Sequence, residues 1–510
     1  MNNSTLYLFF KFFILSFGIL FLISPDSYTH DLFRHIDSAC FYTCGKAWMN
    51  GMTPYIDFAD SKGPLLWFIY GIGYLISPSN YIGVFWLSII LYVLVFYYVF
   101  KIAEIFLNNE KLSFFATSLM ALSYFCPWFH HEIRAEDWCQ IFIAMSFYYC
   151  CRWFYTESEN KFKKSHTACF VLGFSLAGTL LIKFTITAML GFVACYALYA
   201  IIKQKINIFT SFFFFTIGFT LMAFPFVLYM LYRGCFDAFI NEYFFCTLQT
   251  VQSSNTLGTY IHEILLFTHR PHLFVLLIIC SIGAFLMQKL VKEFKYFFFI
   301  SFYGFYFITV HHHLYYYPCS CLIFPLFFII PITTKLSPST KQRKAITILS
   351  FFLTIFMNSF TLGFLSDEWF FKQSKDREGY YQIANIMAGI ESPTIVIYMT
   401  NEHGWGLPVG ALPGSKYWVH QIGATSKMIK DQEDAIKNRR TDFVIISDFY
   451  RGVKERDQLI RSNGYRLIYE YSCWDGNYKL YTKHNRLSIP HKDFHVTNMD
   501  ILLKRNKFND

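Results

Sequence analysis

From Leu6 to about Leu365 the apolar residues fall into runs of roughly 17 to 25 residues, the length a helix needs to cross about 30 Å of hydrocarbon, with the polar residues gathered between the runs. Reading each run as one crossing predicts spans at 6–23, 64–78, 81–100, 113–128, 138–155, 167–182, 185–202, 207–232, 272–288, 296–310, 315–333 and 345–365, about twelve in all. Beyond residue 366 the runs shorten and alternate. Helices are predicted at 378–390, 427–439 and 453–462, strands at 394–399, 443–447, 466–471 and 479–482, and a Gly/Pro-rich loop from Gly404 to Gly414. Such alternation argues a small α/β domain. The expected molecule is a polytopic α-helical membrane protein over residues 1–366, with a long first loop at 24–63, followed by an α/β domain over 367–510.

Composition agrees: 55% of the residues are apolar and 15% charged, where a soluble domain carries roughly 25% charged residues. That deficit excludes disorder, a coiled coil and an ordinary soluble enzyme. The net charge of +10 implies no nucleic-acid partner, because the cations sort by side. One set of loops holds Lys101 and Lys111, the residues from Arg152 to Lys164, Lys203 and Lys205, the residues from Lys289 to Lys295, and those from Lys335 to Lys344; the other holds most of the acids. By the positive-inside rule the first set is cytoplasmic. The expectation is a multi-pass protein of a bacterial-type cytoplasmic membrane, with a cytoplasmic N-terminus and an extracytoplasmic C-terminal domain. The first run reads as a retained signal anchor, since Ser24-Pro25-Asp26 offers no small-x-small cleavage site. Cys40 and Cys44 read as small packing residues.

The first outer loop carries the richest pattern. Apolar positions at helical spacing from Asp37 to Gly51 predict an amphipathic helix lying on the outer membrane surface. Asp37 at its start is either an N-cap or a functional carboxylate. Then come Gly51-x-x-Pro54-Tyr55-x-Asp57 and Lys62-Gly63-Pro64-Leu65, which opens the second span. An acidic residue early in this loop, the Pro-Tyr-x-Asp element and the Lys-Gly-Pro-Leu element, in this order, resemble the integral-membrane GT-C glycosyltransferases, in particular the protein-mannosyltransferase-like and lipid A aminoarabinose-transferase-like enzymes. These take a sugar from a polyprenyl-phosphate carrier on the outer face of the membrane.

The resemblance implies roles. Asp37 matches the acid thought to act as general base on the acceptor hydroxyl, and Lys62 matches the cation that contacts the carrier phosphate as it departs. Gly63 replaces the first proline of that motif. On its own, Lys62 reads as an interfacial lysine that snorkels. In the second outer loop, Glu136 or Asp137 fits the place of a second acid, Glu136 slightly ahead, and Arg134 either binds phosphate or neutralises one of those acids. Lys183, a cation among apolar residues, is a secondary phosphate candidate. Asp57, His313 and Tyr315 join the substrate-binding candidates with Tyr55; Tyr55, Trp67 and Tyr315 would pack against carrier and sugar. The triplets His130-His131-Glu132 and His311-His312-His313 invite a metal, but consecutive residues rarely point to one centre. No cofactor is expected to be required, although some GT-C enzymes use a divalent ion. The loop at 233–270, with its polar turn-rich stretch from Gln249 to Gly258, is expected to order on substrate.

The function expected is a hexosyl or pentosyl transferase moving a sugar from a polyprenyl-phosphate donor to a lipid, glycan or protein acceptor. The alternatives are a transporter or flippase of lipid-linked sugars, against which no internal repeat is found, and a scaffold whose outer domain binds a partner.

Overall fold

We describe a computed structural model of the chain. It describes residues 3–24, 36–124, 133–155, 161–246, 248, 271–291, 297–298, 301–302, 320, 322–336, 339–362, 375–400, 404–419, 425–448, 452–473, 476–485 and 487. The chain forms two compact units. One contains residues 1–24, 87–228 and 255–365; the other contains 25–86, 229–254 and 366–510.

In chain order the helices are α1 (Asn3–Ile23), α2 (Ile36–Met49), α3 (Pro64–Ile76), α4 (Ile82–Leu107), α5 (Glu110–Tyr124), α6 (Ala135–Tyr155), α7 (Lys161–Leu180), α8 (Phe184–Lys203), α9 (Ile208–Tyr232) and α10 (Phe236–Phe239). A π-helix at Ile240–Cys246 follows, then α11 (Pro271–Leu290), α12 (Leu326–Leu336) and α13 (Thr340–Leu362). Among the described residues α4, α8 and α9 are long and apolar enough to cross a membrane. α9 argues this most strongly. A helix apolar all round must be either buried in protein or embedded in lipid, and Phe209, Phe212, Phe213, Leu221, Phe224 and Leu228 on α9 are all exposed. The figure of about twelve crossings remains a sequence expectation. The run at 64–78 becomes α3, whose 13 residues span only about 20 Å.

Within the first unit α6 packs on α7 and α8, and α7 on α8. α7 and α9 approach closely through two glycines: a Cβ on Gly173 would lie 2.0 Å from the Phe215 carbonyl oxygen, and one on Gly218 would lie 2.0 Å from that of Phe170. Part of the phenylalanine excess fills this unit's interior, where Phe147 of α6 meets Phe297, Phe324 and Phe327 at centroid distances of 5.4, 5.3 and 6.5 Å.

The second unit holds the sheet domain: α14 (Lys375–Met387), β1 (Thr394–Ile397), β2 (Leu412–Pro413), α15 (Ser426–Lys437), β3 (Phe443–Ser447), α16 (Val453–Ser462), β4 (Arg466–Cys473) and β5 (Gly476–Thr482). The strand order is β2-β1-β3-β5-β4; the first three strands are parallel and β5 runs antiparallel to both β3 and β4. Side chains alternate across a strand. Val396, Tyr398, Val444, Ile446 and Tyr481 therefore form one buried face with Ala435 and Ile436 of α15 and Ile460 of α16. On the other face Tyr471 takes a hydrogen bond from the Trp405 indole at 3.0 Å. Every residue of β3 is buried, as a central strand should be. The predicted α/β elements are present, and β2 adds a short edge strand inside the Gly/Pro-rich loop.

α2 departs from expectation. It occupies the predicted residues, but Ser38 to Ala47 are all buried, Lys46 included, so no face is left free as a surface-lying helix requires. α3 covers one side: a Cβ on Gly45 would lie 2.4 Å from Gly71 N and 2.6 Å from the Trp67 carbonyl oxygen, so the two helix backbones touch. β2 also lies against α2.

Candidate functional site

In the second unit the first-loop motif becomes a tightly held turn. Thr53 and Asp57 bond each other reciprocally, Thr53 N–H to Asp57 Oδ2 at 2.6 Å and Asp57 N–H to the Thr53 carbonyl at 2.9 Å, with Asp57 otherwise exposed. Tyr55 takes a left-handed φ of 64° and is fully buried, its ring 4.7 Å from Trp67 and 5.2 Å from Phe239. Its hydroxyl donates to the Lys62 carbonyl at 2.9 Å. Tyr55 and Trp67 are thus the core of the turn in this structure and carry Lys62 on it; neither offers an open face.

Lys62 projects from this turn. Its ammonium donates to Ser61 Oγ at 3.1 Å, lies 3.9 Å from Asp60 Oδ2 and sits 5.4 Å above the Phe41 ring. Phe41 is one helical turn beyond Asp37 on α2, and residues four apart share a helix face. Asp37, half-buried in the first turn of α2, therefore shares a helix face with Phe41, the residue over whose ring the Lys62 ammonium lies. A carboxylate and a partly buried ammonium so placed can accept a proton and hold an anion, respectively.

Three distant segments fix the turn from outside. Arg233, just after α9, donates to the Gly51 carbonyl at 2.9 Å and to Thr53 Oγ1 at 2.5 Å. Phe239 packs on Tyr55. The Lys416 carbonyl, following β2, accepts the Ala59 N–H at 2.9 Å. Lys416 is itself tied to the π-helix: Glu242 accepts from the Lys416 ammonium at 2.7 Å, the Tyr417 hydroxyl at 2.6 Å and the Lys427 ammonium at 3.1 Å. Burial raises the Glu242 carboxyl, but the Lys416 and Tyr417 hydrogen bonds and the lysine charges outweigh it and hold the group below the ordinary carboxylate range.

In the first unit the second-loop acids separate by role. Asp137, in the first turn of α6, accepts the Arg134 N–H at 2.8 Å and the Tyr92 hydroxyl at 2.5 Å. That is a helix-start cap made by the side chain three residues in, reaching back. Glu136 pairs with Lys183 at the start of α8, and both side chains are buried. Arg134 is buried next to them in sequence. The cation that pairs with Glu136 is thus Lys183, 47 residues away, a partnership with no local signal in the sequence. The contacts of Glu242, Lys416, Lys427, Tyr92 and Arg233 were likewise not legible, since each joins residues distant in the chain.

His313, Tyr315, the two histidine triplets and Gln249 to Gly258 lie outside the described residues. Among the described residues no group of three or more His, Cys, Asp or Glu could hold a metal ion, and Cys40 and Cys44 are buried.

Among solved structures, the chain is similar to ArnT from Cupriavidus metallidurans, crystallised bound to undecaprenyl phosphate. The likeness covers 96% of this chain and 100% of that one, with a TM-score of 0.61 at 9% identity. The apo oligosaccharyltransferase from Archaeoglobus fulgidus aligns over 96% of this chain and 75% of its own at a TM-score of 0.43 and 12% identity. No protein-family model and no curated protein matches the sequence. At so low an identity the likeness establishes the fold alone: the chain folds as ArnT does over 96% of its length.

Proposed function

We propose that this protein is a membrane glycosyltransferase that moves a hexosyl or pentosyl group from a polyprenyl-phosphate donor to a lipid, glycan or protein acceptor at the outer face of the cytoplasmic membrane. The observation that supports the reading is that Asp37 and the ring carrying the Lys62 ammonium share one face of α2, in a chain similar in fold to ArnT over 96% of its length. The flippase alternative finds no support in that fold.

In the proposed reaction an acceptor hydroxyl attacks the anomeric carbon as the bond from that carbon to the phosphate oxygen breaks, with inversion as in the enzymes the sequence resembles. Asp37 takes the hydroxyl proton; the electron pair of the broken bond leaves on the polyprenyl phosphate. Lys62 holds the charge that grows there, a role suited to a cation partly shielded from water. Within the other unit, Glu136 is the second acid, kept ionised and oriented by Lys183, while Asp137 serves α6 as its cap. Arg134 remains a phosphate candidate, and Asp57 holds the loop that carries Lys62. The reading requires no cofactor; a divalent-ion requirement would show as transfer lost on chelation and restored by the ion.

Loss of the protein should leave its donor unused. Cells lacking it are expected to accumulate an acid-labile lipid-linked sugar that disappears when the wild-type chain is restored. An unchanged lipid-linked sugar pool would overturn the reading.

A further inference from the structure

We infer that Glu242 and Lys416 are positioning residues for the Lys62 cation, so that the C-terminal sheet domain governs how a phosphate is held at the first loop. The inference rests on the reading of Lys62 as a phosphate contact, and adds residues outside the first loop.

Lys416 works in two directions. Its ammonium lies 2.7 Å from Glu242 Oε1, and its carbonyl accepts the Ala59 N–H at 2.9 Å. Ala59 begins the stretch Ala59-Asp60-Ser61-Lys62, which has little freedom of its own. Asp60 is buried, takes the Ser61 N–H at 2.6 Å and lies 3.9 Å from the Lys62 ammonium, while the Tyr55 hydroxyl pins the Lys62 carbonyl. A shift of the Lys416 backbone is therefore passed along a constrained turn to the Lys62 side chain.

Glu242 decides where Lys416 sits. Its Oε1 takes both ammonium groups and its Oε2 takes the Tyr417 phenol, so three groups of the sheet domain converge on one carboxylate. Tyr417 is also held from within the domain, its N–H by Asp431 at 3.0 Å and its carbonyl by Gln432 at 2.7 Å. The Asp431 bond holds the same planar peptide that carries the Lys416 carbonyl, so loss of the Glu242 contact should loosen the hold of Lys416 on Ala59 without unfolding the domain. The carboxylate stands in a π-helix, an uncommon conformation found frequently at functional sites. One charged residue thus links the segment after α9, the sheet domain and the first-loop turn. Its charged hydrogen bonds are of the strong kind.

The test uses the full-length protein in nanodiscs of neutral lipid, as wild type, Glu242→Gln, Lys416→Met and Lys416→Arg. Amide hydrogen exchange over residues 57–63 should quicken about tenfold in Glu242→Gln and Lys416→Met and stay near wild type in Lys416→Arg, the variant that keeps the charge. Undecaprenyl phosphate is the binding probe. Its Kd should rise about tenfold in the first two variants, and by little more when Lys416→Met is added to Lys62→Met, because residues acting in series are not additive. Unchanged exchange in Lys416→Met overturns the inference. Faster exchange with unchanged Kd overturns the link to the phosphate and leaves a structural staple. If wild type itself fails to bind the probe, the Lys62 reading falls, and the exchange result still decides whether Lys416 sets the turn.

Discussion

Replacing Lys183 by Met tests the buried pair in the first unit most sharply. The Glu136 and Lys183 side chains are 2% and 7% exposed, so removing the ammonium strands a carboxylate away from water. Breaking one half of such a pair costs about 3–5 kcal/mol, whereas replacing both halves with neutral groups of similar volume is often close to neutral. Arg134 sits two residues before Glu136 and offers partial compensation, which places Lys183→Met near the lower end, about 3 kcal/mol. The double variant Glu136→Gln, Lys183→Met should lose less than about 1 kcal/mol, giving a coupling of about 2 kcal/mol or more. Thermal midpoints in detergent, read by the monodisperse fraction that survives heating, should fall by about 6 °C in the single variant and little in the double. A double variant that falls by the sum of the two singles would show that the charges do not act as a pair.

Two further outcomes follow from contacts elsewhere in the molecule. Gly45→Ala pushes a methyl group into the α3 backbone at Gly71, where no flexible side chain can yield; overpacking of this kind costs about 1–3 kcal/mol and should appear as faster exchange across α2 and α3 with a lower thermal midpoint. Asp442 concerns acid stability. Burial raises its carboxyl, but bonds from His484, Thr394 and Lys483 outweigh that and hold it below the ordinary range. A carboxyl depressed in the folded state adds stability that is complete above the unfolded value near ~4 and is lost as pH falls through the folded value. Asp442→Asn should therefore lower stability at neutral pH and flatten the acid limb of a fluorescence titration; an acid limb identical to wild type would refute this.

Local signals carried much of the fold. β3 and α16 occupy the predicted residues 443–447 and 453–462, because alternation, a helical period and the left-handed glycines Gly452 and Gly464 all act within a few residues. β2 was not legible, since two residues in a Gly/Pro-rich loop have no period and become a strand only by pairing with β1. α2 was legible as a helix and misjudged in environment: its small residues, above all Gly45, read as a weakly apolar face when their use is to admit another backbone. The polar residues of each unit show the same division. Asp37 and Lys62 stood out through motif order, but the Glu136–Lys183 pair and the convergence of Lys416, Tyr417 and Lys427 on Glu242 join residues 47 to 185 positions apart, and only the fold creates them. Tyr55 was read as a substrate contact because aromatic residues near an outer interface serve such a role; in the structure it is buried and bonds the Lys62 carbonyl.

The central claim is that Asp37 and Lys62 act on a sugar carried by a polyprenyl phosphate. The most direct measurement is transfer of labelled sugar from such a donor to an extractable acceptor fraction, using proteoliposomes that contain wild type, Asp37→Asn or Lys62→Met at equal amounts of folded protein. The account predicts transfer by wild type, a loss of about 10²-fold or more in Asp37→Asn with little change in donor KM, as expected of a general base, and a raised donor KM in Lys62→Met. Transfer by Asp37→Asn at the wild-type rate would contradict it.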